Sequence, residues 1–342
     1  MSLADFMLPD VVPPSSSLTD LAGKAPSTGM FHGFDPVSAV GLRGGELLPA
    51  GSPEDVFDRD AYKGHRNANF VESLHGRPTA PIFWDMEDAR AMDADVHFGR
   101  PLNVFQYNRR VGSRNAVLWR LRAYFEPSRN VGHPGVIVDD ATPFLQKQAR
   151  VFWRGAMVGS RWLDPHHRSG PLLLRSVDEF RTSAKFYSRL RAVLMSNTSD
   201  NLDLKLTGSV LDARPWVADL DVRGEHATPE EQIQHRYILC PNGNDVASSL
   251  YWVLQTNSLA LREDCAYEVV PDYFLKPWVH YVPVARGLAD LEEKFAYCEA
   301  HPDECLRIID NAHEAYARMT DRNVWLQAEL EVLSRLGFTE LS

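Results

Sequence analysis

Val151-Phe152-Trp153-Arg154-Gly155 and, further on, Tyr237-Ile238-Leu239-Cys240-Pro241-Asn242-Gly243-Asn244-Asp245-Val246-Ala247-Ser248-Ser249 decide the fold. Each begins as a short apolar run that stops at a glycine-containing loop. A buried strand turning through such a loop into a helix is the repeating unit of an α/β fold. Working outward, similar apolar runs lie at 80–84, 103–107, 135–138, 258–261 and 279–283, and each predicts a strand. Between them, amphipathic stretches at 114–125, 177–194, 247–255 and 287–299 predict helices. In the last of these, Leu288, Leu291, Phe295 and Cys298 fall at helical spacing among polar residues. Residues 303–337 predict helices in series with Leu326, Leu330 and Leu333 as the apolar stripe.

A chain of 342 residues exceeds one ordinary core, since single cores stop growing at about 250–300 residues. Two domains follow. Residues 1–30, with Pro13-Pro14-Ser15-Ser16-Ser17, read as a poorly ordered lead-in. The break falls near 141–150, at Ala141-Thr142-Pro143, giving an N-terminal domain of 31–145 and a C-terminal domain of 146–342 that includes the terminal helices.

The balance of 44% hydrophobic and 24% charged residues is that of a globular protein, and the net charge of −10 argues against nucleic acid as the main partner. Cys240, Cys265, Cys298 and Cys305 show neither Cys-x-x-Cys nor zinc spacing, so reduced thiols in a cytoplasmic setting fit best. No apolar run is long enough to span a bilayer, so any membrane association is peripheral.

The chemistry-bearing residues fall into three groups. Arg154-Gly155, the loop containing Gly159-Ser160-Arg161, and Arg168 bring guanidinium groups and backbone N–H groups to the carboxyl end of a strand, where α/β folds bind anions. The segment from Gly243 to Ser249 is a second such loop, with Asp245 as helix cap and Ser248 and Ser249 in the first helical turn. Residues 81–84 run as a strand into Asp85-Met86-Glu87-Asp88, placing Asp85 or Asp88 where a general base would face a cleft between domains. The same acidic stretch also reads as a helix cap with solvent-facing Glu87 and Asp88. A pair of carboxylates there is also what a glycosidase would use. The pairs Asp93/Asp95 and Asp219/Asp221 have metal-binding spacing but no strand-end context, so no metal site is expected.

Phe152-Trp153-Arg154-Gly155, Arg168, Tyr237-Ile238-Leu239 with Gly243-Asn244-Asp245-Val246-Ala247-Ser248, and 276–284 (Lys-Pro-Trp-Val-His-Tyr-Val-Pro-Val) recur here in an order that resembles the CAP10-like family. That family includes protein O-glucosyltransferases and bacterial lipopolysaccharide core transferases. The resemblance covers about residues 80–318. It implies a GT-B type fold, two Rossmann-like domains facing a central cleft, and an inverting, metal-independent transfer of glucose, xylose or galactose from a UDP-sugar to a glycan or glycolipid acceptor. It further implies that Arg154, Gly155, Arg168 and the loop Gly243, Asn244, Asp245, Val246, Ala247, Ser248 and Ser249 hold the donor diphosphate. Glu263 takes the ribose on the same analogy, and Asp85, with Asp88 as alternative, is the base. UDP-sugar is the donor substrate and no cofactor is implied. Ser249 stands where many eukaryotic members carry arginine, which separates this chain from their donor preference. A protein O-glycosyltransferase of the same fold, or an inactive carbohydrate-binding relative, is the alternative expectation.

Overall fold

Val151 and Trp153 face one apolar cluster while Phe152 between them faces another, so the strand that carries them is buried on both sides. The same alternation holds for Tyr237 and Leu239 against Ile238 and Cys240. Strands of this kind pair in parallel, with helices covering both faces. The computed structural model describes residues 1–9, 17–19, 21, 31–61, 63–88, 104–113, 116–128, 135–159, 170–212 and 214–340. It is a mixed α/β structure with parallel strands and C-terminal helices, as the sequence pattern predicts. Contacts divide the chain into two units. One comprises Met1–Phe125, Tyr267–Tyr273 and Asp321–Ser342, and the other Glu126–Ala266 and Phe274–Thr320. The sequence pattern offers one cut at 145/146 and keeps every terminal helix in the second domain; the contacts cut after Phe125 and return two later segments to the first unit.

In the first unit, β1 (Phe31–Asp35), β2 (Val40–Arg43), β3 (Glu46–Pro49), β4 (Ile82–Asp85), β5 (Val104–Gln106) and β6 (Ala116–Leu118) form one sheet in the order β3-β2-β1-β4-β5-β6. The pairings among β3, β2, β1 and β4 are antiparallel, and those of β4 with β5 and β5 with β6 are parallel. The helix Gly64–Glu72 lays Phe70 against Trp84 and Phe105, with ring centroids 5.5 and 5.2 Å away. Trp119 meets the same Phe70 edge-on at 6.2 Å and donates its indole N–H to Ser73 Oγ at 2.7 Å.

Two predictions from the pattern are corrected here. Of the stretch 114–125, the described residues 116–125 form β6 and a 3-10 turn, Arg122–Tyr124, in place of a helix. Ala116, Val117 and Leu118 are all buried, and a run with no polar face suits a strand covered on both sides. In the helix Arg322–Arg335, the buried residues are Trp325, Ala328, Glu329, Val332 and Leu333, while Leu330 stays 38% exposed. The stripe is set by Glu329, whose fully buried carboxylate accepts from Arg120 Nε at 2.7 Å and lies 3.1 Å from His75 Nε2. Arg120 also stacks over the Trp325 ring at 3.5 Å.

In the second unit, β7 (Gln148–Ala156), β8 (Leu202–Thr207), β9 (His235–Cys240), β10 (Leu259–Glu263) and β11 (Val282–Val284) form an all-parallel sheet ordered β8-β7-β9-β10-β11. β8 is an edge strand with Leu202, Leu204 and Leu206 turned inward and Asp203, Lys205 and Thr207 outward. The predicted stripe Leu288, Leu291, Phe295 and Cys298 is buried as expected. Residues 135–138 make only an isolated bridge, Ser128 to Val136, in place of a strand. The expected helix 177–194 is two, Val177–Ser183 and Ser188–Ser196. Among the described residues no helix is long and apolar enough to cross a membrane.

Glu329 yields a stability prediction. Truncation removes the carboxylate that accepts from the buried Arg120, so Glu329→Ala should lower unfolding free energy by about 3–5 kcal/mol. Urea unfolding measures this, and an unchanged midpoint would show that the buried pair does not hold the C-terminal helix in place.

Candidate functional site

The sheet order of the second unit puts its first strand, β7, beside its third, β9, while β8 lies on the far side of β7. Chain connections therefore leave these two strands in opposite directions. In open parallel sheets the crevice at the carboxyl ends of such a strand pair is where ligands bind. The loops after β7 and β9 are the two that the sequence pattern marks.

One guanidinium bridges them. Arg189, in the first turn of the helix Ser188–Ser196, donates Nη1 to Ala156 O at 3.2 Å and Nε to Asn242 O at 3.1 Å. Its Nη2 has no hydrogen-bond partner among the described residues. A Cβ at Gly243 would stand 3.0 Å from that nitrogen, so glycine lets the guanidinium lie against the loop backbone. Gly155 serves a related purpose, because a Cβ there would meet the Trp153 ring at 2.4 Å. The Arg189 guanidinium lies over that ring at 5.4 Å. Burial pulls its pKa down to about 10, against the pull of Glu263 and Asp245, and the group stays charged at neutral pH. A charged planar donor with one free edge at a strand switch point is suited to a phosphoryl oxygen.

Glu263 ends β10 and is fully buried. One carboxylate oxygen accepts from Ser188 Oγ and, at 2.8 Å, from Gly287 N; the other accepts from Asn242 N at 2.8 Å. Burial raises its pKa and these donors oppose the rise. Its oxygens thus tie together three segments at the carboxyl end of the sheet, and this positions Arg189 and Asn242.

The other donor-side candidates sit as follows. Arg154 turns back along the sheet: Nη1 donates to Trp153 O at 3.0 Å and Asp203 O at 2.9 Å, and Nη2 pairs with Asp203 Oδ1 at 2.8 Å. It also covers the Phe152 ring at 4.1 Å. Arg168 lies outside the described residues. Asp245 does not cap the following helix; its Oδ1 accepts from Val246 N at 2.6 Å, and the helix spans only Ser249–Val253. Val246 and Ala247 are buried, and Ala247 joins the apolar cluster under the loop. Asn244 is half-buried, Ser248 is exposed, and the Ser249 hydroxyl meets the Cys240 thiol. Asp221 is exposed and paired with Lys205 at 3.1 Å, and Asp93 and Asp95 lie outside the described residues.

In the first unit, Asp85 ends β4 and is fully buried, with Oδ1 accepting from Glu87 N at 3.1 Å. Asp88 is clamped by Lys63 at 2.9 Å, Arg66 at 2.7 Å and the Tyr107 hydroxyl at 2.5 Å. Burial alone would raise its pKa, but Arg66, Tyr107 and Lys63 outweigh that and hold it well below the usual carboxylate range. A carboxylate so stabilised is a weak base. Glu87, facing Lys63, belongs to the same cluster and is not solvent-facing.

Comparison with known proteins now fixes the class. The chain belongs to glycosyl transferase family 90, whose family model matches residues 138–324, more than half its length. The CAP10-like resemblance read from the motifs is thereby borne out. The chain is similar to the O-glucosyltransferase LpsA of Dichelobacter nodosus, 28% identical over 200 residues, or 57% of this chain and 52% of that protein. It is also similar to protein O-glucosyltransferase 3 of Homo sapiens, 31% identical over 75 residues, covering 22% of this chain and 15% of that protein. Uncharacterized protein 035R of Invertebrate iridescent virus 3 is 30% identical over 115 residues, 33% of this chain and 10% of that protein. The match thus spans about half the length of LpsA and smaller shares of the others.

Arg189 carries no motif. It sits in an ordinary amphipathic stretch, and only its position as the second residue after the break at 184–187 distinguishes it. If its free edge meets a diphosphate, Arg189→Ala should weaken UDP binding by about 1.5–3 kcal/mol, the worth of a charge-assisted hydrogen bond. Arg154→Ala should change it less, since Asp203 already holds that guanidinium. Isothermal titration with UDP tests the ranking, and the reverse order would move the diphosphate to the Phe152 face of β7.

Proposed function

We propose that this chain is an inverting, metal-independent glycosyltransferase of GT-B type that moves glucose, xylose or galactose from a UDP-sugar to a saccharide acceptor of lipopolysaccharide or related kind. The observation that carries the donor half is Arg189 at the β7/β9 switch point, bridging the two glycine loops. Membership of family 90 and the O-glucosyltransferase name of LpsA support sugar transfer. In this reading the second unit holds the nucleotide with Arg189 and the backbone of Gly155 and of Gly243 to Ser249, and the family resemblance adds Arg168 to the set. Glu263 acts by fixing the loops. The first unit supplies Asp85.

The reaction is a single displacement. The acceptor hydroxyl gives its proton to Asp85 as its oxygen attacks the anomeric carbon, and the bond from that carbon to the diphosphate oxygen breaks. Negative charge then grows on UDP, where Arg189 and loop N–H groups stabilise it without a Lewis acid. Asp85 is preferred to Asp88 because Asp88 is already committed to Lys63, Arg66 and Tyr107. The free cysteines, three of them buried, suit a reducing compartment such as the cytoplasm. A protein acceptor is the second reading, drawn from the similarity to protein O-glucosyltransferase 3.

Thermal shift against UDP, UDP-glucose, UDP-xylose and UDP-galactose should raise the melting point, since a ligand at 100 times its Kd stabilises by about 2.7 kcal/mol. No shift with any uridine nucleotide would remove the donor assignment. Transfer should persist in EDTA; loss restored by manganese would place a metal at the leaving group. Asp85→Asn should abolish transfer while UDP affinity stays near native, and normal turnover in that variant would move the base elsewhere.

A further inference from the structure

The row of the first-unit sheet that contains Asp85 holds a second polar residue. Trp84 pairs with Phe105 in the parallel register of β4 and β5, so the next row sets Asp85 beside Gln106. Phe31 lies across from Asp85 on β1, and Leu118 across from Gln106 on β6. The row reads Phe31, Asp85, Gln106, Leu118, and all four are fully buried. Two residues inward on the same face the row is Gly33, Phe83, Val104 and Ala116, which is wholly apolar. The face turns polar at the carboxyl end of the two parallel strands.

The residues that follow Gln106 are spent on the loop after β4. Tyr107 donates its hydroxyl to Asp88, and Asn108 Nδ2 donates to Glu87 O at 3.1 Å. Gln106 differs: among the described residues neither its Nε2 nor its Oε1 has a hydrogen-bond partner. A buried amide that leaves donor and acceptor both unmade is destabilising, since neither group recovers the hydrogen bond it made to water. Leucine or methionine would fill the position at no such cost, as valine and phenylalanine do at the two preceding positions of β5.

We propose that Gln106 is the acceptor-positioning residue, its carboxamide hydrogen-bonding a hydroxyl of the acceptor sugar next to the hydroxyl that Asp85 deprotonates. The chemistry matches. A carboxamide offers one donor edge and one acceptor edge, which a sugar hydroxyl satisfies together, and a vicinal diol spans the spacing between adjacent strands. The ligand class is a pyranoside with neighbouring free hydroxyls. Sites that hydrogen-bond a substrate hydroxyl reject analogues lacking it, so Gln106 sets acceptor specificity as well as geometry. This inference rests on the reading of Asp85 as base.

The test uses the full chain saturated with UDP and two probes, methyl β-D-glucopyranoside and methyl β-D-galactopyranoside. Nitrogen-labelled protein shows the Gln106 side-chain amide pair, identified by its loss in Gln106→Leu. That pair should shift saturably with at least one glycoside, in wild type and in Asp85→Asn. Gln106→Leu should melt no lower than wild type and bind UDP unchanged. Its KM for the transferred glycoside should rise about tenfold, with hydrolysis of the donor by water unaffected. The amide titration decides the matter even where neither glycoside is turned over. An unmoved amide pair, or a Gln106→Leu enzyme with wild-type acceptor KM, overturns the proposal and leaves Gln106 as a buried defect. Failure of the base reading looks different: Asp85→Asn turns over normally while the amide still shifts.

Discussion

The buried carboxylate of Glu263 is the constraint on which the candidate site of the second unit depends. It stands at the end of β10 with its oxygens accepting from Ser188, Asn242 and Gly287, one residue from each of three segments that otherwise share no secondary structure. Ser188 adjoins Arg189, and Asn242 adjoins Gly243. A single desolvated acid thus fixes both the guanidinium and the loop against which it lies. Its burial is tolerable because the donors are in place before any ligand arrives, which is also what electrostatic preorganisation requires.

The first unit uses charge in a different way. Asp88, Glu87, Lys63, Arg66 and Tyr107 form a network in which acids and cations pair with one another. Such a network holds the loop after β4 rigidly but has little left for catalysis. Asp85, three residues earlier, lies on the sheet rather than in the network. A strand end followed by a clamped loop keeps a neighbouring carboxylate in one orientation, and this is how two nearby aspartates come to differ in surroundings.

Much of this architecture was legible in the chain. The runs at 151–153 and 237–240 announce buried strands because no polar residue interrupts them, and Leu288, Leu291, Phe295 and Cys298 announce a helix because only a 3.6-residue period places them together. The misreadings have physical causes. Ala116-Val117-Leu118 looks helical beside its arginines, yet the sheet needed a sixth strand with both faces covered. Leu202-Asp203-Leu204-Lys205-Leu206-Thr207 alternates cleanly but escapes notice, because charged residues dilute an edge strand's apolar signal. In the last helix, Glu329 is drawn inward by Arg120, and Leu330 is turned out as a result.

The sequence by itself determined the class: an α/β chain whose ordered set of glycine-interrupted strands places it among family 90 glycosyltransferases. Such information is local, since a strand, its turn and its loop chemistry are contiguous in the chain. Only the tertiary structure decided which arginine meets the switch point, which aspartate is clamped by Lys63 and Arg66, and which amide shares a row with Asp85. Arg154 is diverted by Asp203 and Arg189 is recruited by Ala156 and Asn242, through contacts between residues 33 to 53 positions apart. Strand register, not spacing along the chain, sets Asp85 beside Gln106. Hydrogen bonds of that kind depend on direction and partner, and no one-dimensional pattern encodes them.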